Sequence, residues 1–256
     1  MSDAANGAAS RGSADNDAIV WFLYTGQGTH IIPRDVTHLR IAPSVKIVGR
    51  WAFQGCEQLV EVELCKGVEW IESGAFSGCE SLQRFKVPSS VRVICAGAFR
   101  DCIQLVDVEL CEGLQRIDIN AFTGCKSLKY IRTPSTVTLI ASGAFHNCNQ
   151  LIDVELSEGI EKIGGYAFGG CNSLERIQTP SSVKIISNYA FGHCEQLTGV
   201  VLCDGTEKID KSAFRHCFSL RNVALPPTAQ ASQCFEPGCH DLLKLFGSHK
   251  MIHNAL

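Results

Sequence analysis

Apolar positions recur along this 256-residue chain on two rhythms, a short one of two residues and a long one of 23. The stretch from Leu59 to Gly78 reads LVEVELCKGVEWIESGAFSG, with Leu59, Val62 and Leu64 apolar and Glu61 and Glu63 set among them. Near-alternation over a few residues predicts a short, half-buried strand. Gly67 then marks a turn, and alternate copies place Pro-Ser there instead, beginning at Pro88, Pro134 and Pro180. Val68 and Ile71 turn inward again, three apart. An Ala-Phe pair follows, which should sit on a single helical turn packed from the far side. Two residues after each Phe stand Gly55, Gly78, Asp101, Gly124, Asn147, Gly170, His193 and His216, types that tolerate the positive φ of a helix-ending residue.

The long rhythm is unbroken. Phe53, Phe76, Phe99, Phe122, Phe145, Phe168, Phe191 and Phe214 are each 23 residues apart. A cysteine follows each Phe by three (Cys56 through Cys217), and a leucine follows by three more (Leu59 through Leu220). One such unit cannot bury its own Leu, Val, Ile and Phe. Stacked units can, as ladders of like side chains with strands roughly 4.8 Å apart, and eight of them make a slab about 40 Å long. The expected fold is an α/β repeat solenoid: short parallel strands on one face, single-turn helices or 3-10 turns on the other, and about eight 23-residue coils.

The unit resembles the BspA-type leucine-rich repeat, whose pattern runs Leu-x-x-Ile-x-Leu-Pro-x-Ser-Val-x-x-Ile-x-x-x-Ala-Phe-x-x-Cys. The segment from Arg84 to Cys102, RFKVPSSVRVICAGAFRDC, carries the match, and the resemblance spans about residues 36–225. The lead-in VWFLYTGQGTHIIPRDVTHLRI looks like the N-terminal segment of such proteins in diatoms and related microbial eukaryotes. The resemblance implies a leucine-rich-repeat solenoid working as an interaction or adhesion scaffold.

A period of 46 lies inside the period of 23. The residue before each ladder leucine alternates Gln58, Ser81, Gln104, Ser127, Gln150, Ser173, Gln196, Ser219. Outward strand positions alternate in charge: Glu61 and Glu63, then Arg84 and Lys86; Asp107 and Glu109, then Tyr130 and Arg132; Asp153 and Glu155, then Arg176 and Gln178. Adjacent coils of opposite charge attract, which fixes stacking register. The same positions are candidates for partner contact, above all Arg84, Tyr130, Arg132 and Arg176, together with Val201 where the charges give out. A second row past the turn reads Ile47, Trp70, Val93, Arg116, Leu139, Lys162, Ile185, Lys208. Apolar and basic residues alternate there, so the methylene stems of one can lie on the other. Trp70, Val93, Arg116, Leu139 and Lys162 are its candidate partner-binding residues, with Trp70 the anchor, because exposed Trp is enriched in binding hot spots.

Composition adjusts this picture only at the margins. A net charge of −3 and 19% charged residues give no reason to expect nucleic acid. No run approaches the roughly 20 apolar residues of a membrane helix. Residues 1–18 are small and polar, and a disordered tail is expected there, without the charged start and apolar centre of a secretory signal. Residues 19–40 should cap the N-terminal end, 36–225 form the solenoid, and 226–256 hold an irregular ninth coil and C-terminal cap. Eight of the 14 cysteines fall on one inward ladder, where Cys acts as a small buried hydrophobe. Such unpaired thiol favours an intracellular, reducing compartment. Cys234, Cys239, His249 and His253 imitate a zinc pattern loosely, with a middle spacing shorter than usual, and no metal or cofactor is expected. No phosphate loop, zincin helix or nucleophile elbow is present. The expectation is a non-catalytic protein-binding scaffold; the alternative is a self-assembling structural or cell-surface adhesion protein.

Overall fold

The computed structural model describes residues 21–26, 32–227 and 229. The expected tail at 1–18 and nearly all of the 226–256 segment, with its four candidate zinc ligands, lie outside the described residues. Every strand pairing within them is parallel and joins one coil to the next. Eight coils each contribute one longer and one two-residue strand, and one further longer strand lies before the first of them and one after the last.

The longer strands are Trp21–Tyr24, His38–Ile41, Glu61–Glu63, Arg84–Val87, Asp107–Leu110, Tyr130–Arg132, Asp153–Glu155, Arg176–Gln178, Gly199–Val201 and Asn222–Ala224. The first lies on the N-terminal end of the stack, in register with His38–Ile41. The two-residue strands run from Ile47–Val48 to Lys208–Ile209 as one continuous eight-stranded sheet. The longer row is divided instead. Its ladder bonding lapses after Glu61–Glu63, after Asp107–Leu110 and after Asp153–Glu155, so each lapse follows an acidic strand. Within the bonded sets opposite charges meet: Arg40 Nε lies 2.7 Å from Glu63, Lys86 Nζ 2.6 Å from Glu109 and Arg132 Nε 2.6 Å from Glu155. These three pairs recur every 46 residues, and the doubled period is thus written into both backbone pairing and side-chain pairing.

Between the two strand rows and the Ala-Phe turns lies a single continuous core. The eight ladder phenylalanines are buried and stacked, with successive centroids 5.1–5.4 Å apart and planes within 13° of parallel. Beside them runs the thiol ladder. From Cys79 to Cys217, each Sγ donates to the Phe carbonyl of the preceding coil over 3.0–3.3 Å. That bond answers why a thiol suits this position: it fills the space of a small apolar group and still engages a carbonyl that would otherwise have only its local partner. No disulfide joins one described cysteine to another, and burial pushes the ladder thiols well up from their ordinary pKa.

The Ala-Phe side differs from the expected helical turn. No helix forms among the described residues; consecutive tight turns take its place. Local three-residue bonds such as Gln54 N to Trp51 O and Cys56 N to Phe53 O alternate with bonds into the next coil, Trp51 N to Ser73 O, Phe53 N to Ala75 O and Gly55 N to Ser77 O. The backbone can do both because φ is positive at two places in every coil. The position two after Phe is positive in all eight, as its residue types suggested. The position two before Phe is positive as well, at Trp51, Gly74, Gly97, Asn120, Gly143, Tyr166, Tyr189 and Ser212. A left-handed residue at that spacing cannot propagate an α-helix.

Candidate protein-binding surfaces

Three rows of side chains leave the stack, and each is set by a different element. The two-residue strands hold Ile47, Trp70, Val93, Arg116, Leu139, Lys162, Ile185 and Lys208 in direct register. Ile47 and Trp70 stand side by side, 48% and 42% exposed, and make an apolar patch near the N-terminal end. Val93, the next in the row, is only 7% exposed, short between its longer neighbours. Leu139 and Ile185 are half-buried, and Lys162 is exposed. Arg116 folds onto its own coil, its Nη2 bonding both oxygens of Asp118 at 2.8 and 2.9 Å, and Lys208 pairs with Asp210 at 2.8 Å. Those two cations are therefore partly committed before any partner arrives. A shallow, open depression beside Arg116 is lined by Arg92, Gln115, Ser135, Thr136 and Thr138.

The longer strands carry the charged row. Arg84, Tyr130 and Arg176 are exposed at equivalent positions, facing Asp107, Asp153 and Gly199 in register. Arg132 is bound to Glu155, whereas Arg84 and Asp107 oppose each other without an ion pair among the described residues. Val201 lies exposed in the neutral C-terminal stretch. Turns between the two rows are tied down from coil to coil. Glu112 accepts from the backbone and hydroxyl of Ser135, and Glu158 does the same from Ser181, which holds both carboxyls below the usual carboxylate range.

Beyond the positive-φ row two after Phe, sequence reasoning passed over the turn side, where the structure places several exposed or half-buried aromatic and imidazole rings. Trp51 lies over Gly74, so close that a Cβ on that glycine would fall 1.8 Å from Trp51 Cε3. Tyr166 and Tyr189 stack at 4.8 Å with planes 2° apart, and Arg215 bonds the Tyr189 hydroxyl at 3.1 Å. His146 meets Tyr166 edge-on beside a shallow depression floored by Gly143 and Gly165 and flanked by Ile119. His193 and His216 lie with centroids 4.4 Å apart. Burial first, and His216 second, hold His193 below its ordinary pKa. The signal that could have found this row was Gly74, Gly97, Asn120 and Gly143 at one repeat position, all types that accept positive φ.

The depressions beside Arg116 and beside Tyr166 are open to solvent rather than enclosed. Among the described residues no group of three or more His, Cys, Asp and Glu could hold a metal ion, and no helix is long and apolar enough to cross a membrane.

Comparison with known proteins agrees with this architecture. No curated protein matches the chain. Among solved structures, the leucine-rich repeat protein of T. pallidum is 26% identical, with 77% of this chain and 86% of that one covered at a TM-score of 0.51. A leucine-rich repeat protein from Bacteroides ovatus is 23% identical over 77% of this chain and 74% of that one, at a TM-score of 0.46. The family description "BspA type Leucine rich repeat region" matches in six copies over residues 33–152 and 115–242. With a repeat match over most of its length and a stack of parallel-stranded coils 23 residues apart, the chain belongs to the BspA-type leucine-rich repeat family.

Proposed function

We propose that this protein is a non-catalytic scaffold that binds another protein through its strand-bearing sides. Membership of a leucine-rich-repeat family fits a protein-binding or surface-adhesion role. The observation that carries the reading is the register-locked row beginning with Ile47 and Trp70, where two large apolar side chains stand exposed on a rigid stack. Exposed tryptophan on a preorganised surface is the usual anchor of an interface, because little conformational entropy remains to be lost on binding. Val201, Arg84, Tyr130, Arg132 and Arg176 extend the surface on the neighbouring row. An intracellular place of action belongs to the same proposal, supported by the run of unpaired thiols.

Affinity capture from lysate tests it, with the wild type set against a Trp70→Ala, Val201→Asp double variant. The expected result is a specific protein held by the wild type and lost by the variant. A partner held equally by both would move binding to the turn side, and capture of no protein would overturn the scaffold reading.

A further inference from the structure

The doubled period gives the long-strand side a surface repeat with a length of its own. Successive phenylalanine centroids lie 5.1–5.4 Å apart, and strands in a sheet lie about 4.8 Å apart. Two coils therefore advance about 9.6–10.8 Å. An α-helix rises 1.5 Å per residue, so seven residues advance about 10.5 Å and one turn about 5.4 Å. Coil and helical turn are thus commensurate, and a doublet of coils corresponds to a heptad. Successive ladder rings stay within 13° of parallel from Phe53 to Phe99 and within 6° from Phe99 to Phe214.

What the surface presents at that repeat is specific. Just before the long strand, three alternate coils expose an aliphatic residue, Val60 at 36%, Val106 at 38% and Ile152 at 41%, and the series ends at Thr198. Coils between them carry Gln83, Lys129 and Glu175 at the same position. The three are structurally equivalent, since Val60 N bonds Thr37 O, Val106 N bonds Gln83 O and Ile152 N bonds Lys129 O. Beside each aliphatic stands an exposed carboxylate, Glu61, Asp107 or Asp153. Asp107 and Asp153 have no ion pair among the described residues, and Glu61 has only His38 at 3.9 Å. One coil on, the neighbours are Arg84, Tyr130 and Arg176.

We infer that this edge is a docking track for one amphipathic α-helix of a partner protein, laid along the solenoid axis with one helical turn per coil. Its apolar residues recur every seven positions and sit on Val60, Val106 and Ile152. Lysine or arginine flanks each of them, opposite Glu61, Asp107 and Asp153, and acidic residues fall one turn later against Arg84 and Arg176. Slight under-winding to 3.5 residues per turn keeps such a stripe in line, as in coiled coils. An inclination of up to about 24° shortens the projected heptad to the closer strand spacing. Three anchors span four coils, about 21 Å, or some 14 residues of helix. The track rests on the scaffold reading above and names the kind of partner that reading leaves open.

The test uses the full chain and two labelled 21-residue peptides of equal composition. One repeats the heptad Leu-Lys-Ala-Glu-Lys-Ala-Ala three times; the other rearranges the same residues so that leucine recurs every six. Fluorescence anisotropy should show saturable binding of the heptad peptide, at least tenfold tighter than the hexad. Val106→Asp and, separately, Asp107→Lys should each weaken it tenfold or more, while Ile119→Asp on the turn side leaves it unchanged. Equal affinity for both peptides, no binding, or an equal loss in Ile119→Asp would overturn the track. So would a dimer in sedimentation equilibrium that Val106→Asp dissociates, which would make a second copy the occupant. If lysate capture still depends on Trp70 and Val201 while the heptad peptide fails, the track falls alone and the scaffold reading stands.

Discussion

Truncating one ring in the middle of the phenylalanine ladder tests how the stack holds together. Phe122 is fully buried and lies between Phe99 and Phe145, with centroids 5.1 and 5.3 Å away and planes within 3°. Phe→Ala in a packed core costs about 3–5 kcal/mol, the lost transfer free energy plus the cavity left behind. Stacked aromatic pairs contribute about 0.5–1.5 kcal/mol beyond area burial. Phe122 makes two such pairs, which places Phe122→Ala in the upper part of that range. In a solenoid each coil touches only its neighbours, so stability is close to a sum of coil and interface terms. A gap at the centre therefore weakens the coupling between two blocks as well as the total. All three tryptophans, Trp21, Trp51 and Trp70, lie in the N-terminal block. Their fluorescence follows that block in a urea titration, and far-UV circular dichroism follows the whole stack. The wild type should give one midpoint by both probes; Phe122→Ala should lose about 3–5 kcal/mol and show two midpoints. A loss under about 1 kcal/mol, no more than a surface change such as Phe218→Ala should cost, would refute the view that the ladder carries the stack.

Three further outcomes follow from particular residues. The ladder thiols have folded-state pKa values raised by burial, so their stabilising contribution is whole below the ordinary thiol value and is lost as pH rises past about 9, where the unfolded chain ionises; melting temperature should fall from pH 9 to 10.5, with a shallower slope in Cys102→Ala, and an unchanged slope would contradict the burial account. Gly74→Ala should cost more than Gly97→Ala, since both have positive φ but only the first meets the Trp51 ring, whereas a Cβ at Gly97 finds its nearest neighbour, Arg100 Cβ, at 3.8 Å; the backbone part is roughly 1–2 kcal/mol, and a red-shifted tryptophan emission in Gly74→Ala alone checks the rest. Arg132→Ala removes an exposed ion pair and should cost no more than about 1 kcal/mol, with the difference vanishing in 1 M salt.

The core was open to reading from the sequence because a solenoid repeats its burial pattern without interruption. Phe, Cys and Leu at fixed offsets are ladders in the structure as they are in the chain. The alternation of charge was legible for the same reason, but its pairing was not: the ion pairs join each basic coil to the acidic coil after it, Arg40 to Glu63, Lys86 to Glu109 and Arg132 to Glu155, while ladder bonding lapses after each acidic strand. Nor was most of the turn side legible. Trp51, Tyr166, Tyr189 and Ser212 occupy positive φ where glycine or asparagine serves in other coils, and they hide the position from a reading by residue type. Holding a non-glycine residue in that conformation costs roughly 1–2 kcal/mol, which the bond into the next coil and the stacking of Tyr166 on Tyr189 help to offset. Burial of Val93 was equally hidden: the row alternates apolar and basic residues, but a short side chain between Trp70 and Arg116 is covered by its neighbours. Commitment of Arg116 to Asp118 depends on geometry two residues along the same coil, which no periodicity reveals.

The two periods answer different physical demands. Inside, each side chain packs on its own kind in the coils above and below, so any coil that departs from Phe, Cys or Leu opens a void or forces a clash. The core is held to 23. Outside, a strand face that repeated every 23 residues would set each charge opposite its like, which is destabilising in a parallel, in-register stack. The shortest charged repeat that avoids this is two coils, with acid and base alternating. Once charge is doubled, the other exposed positions are free to double with it, as Val60, Val106 and Ile152 do against Gln83, Lys129 and Glu175. Where the alternation stops, at Gln178 opposite Val201, the electrostatic reason for register is gone while the core ladder continues through Phe191 and Phe214. Uniformity of the core thus leaves variation to the surface, and the need to separate like charges gives the long-strand face its two-coil spacing.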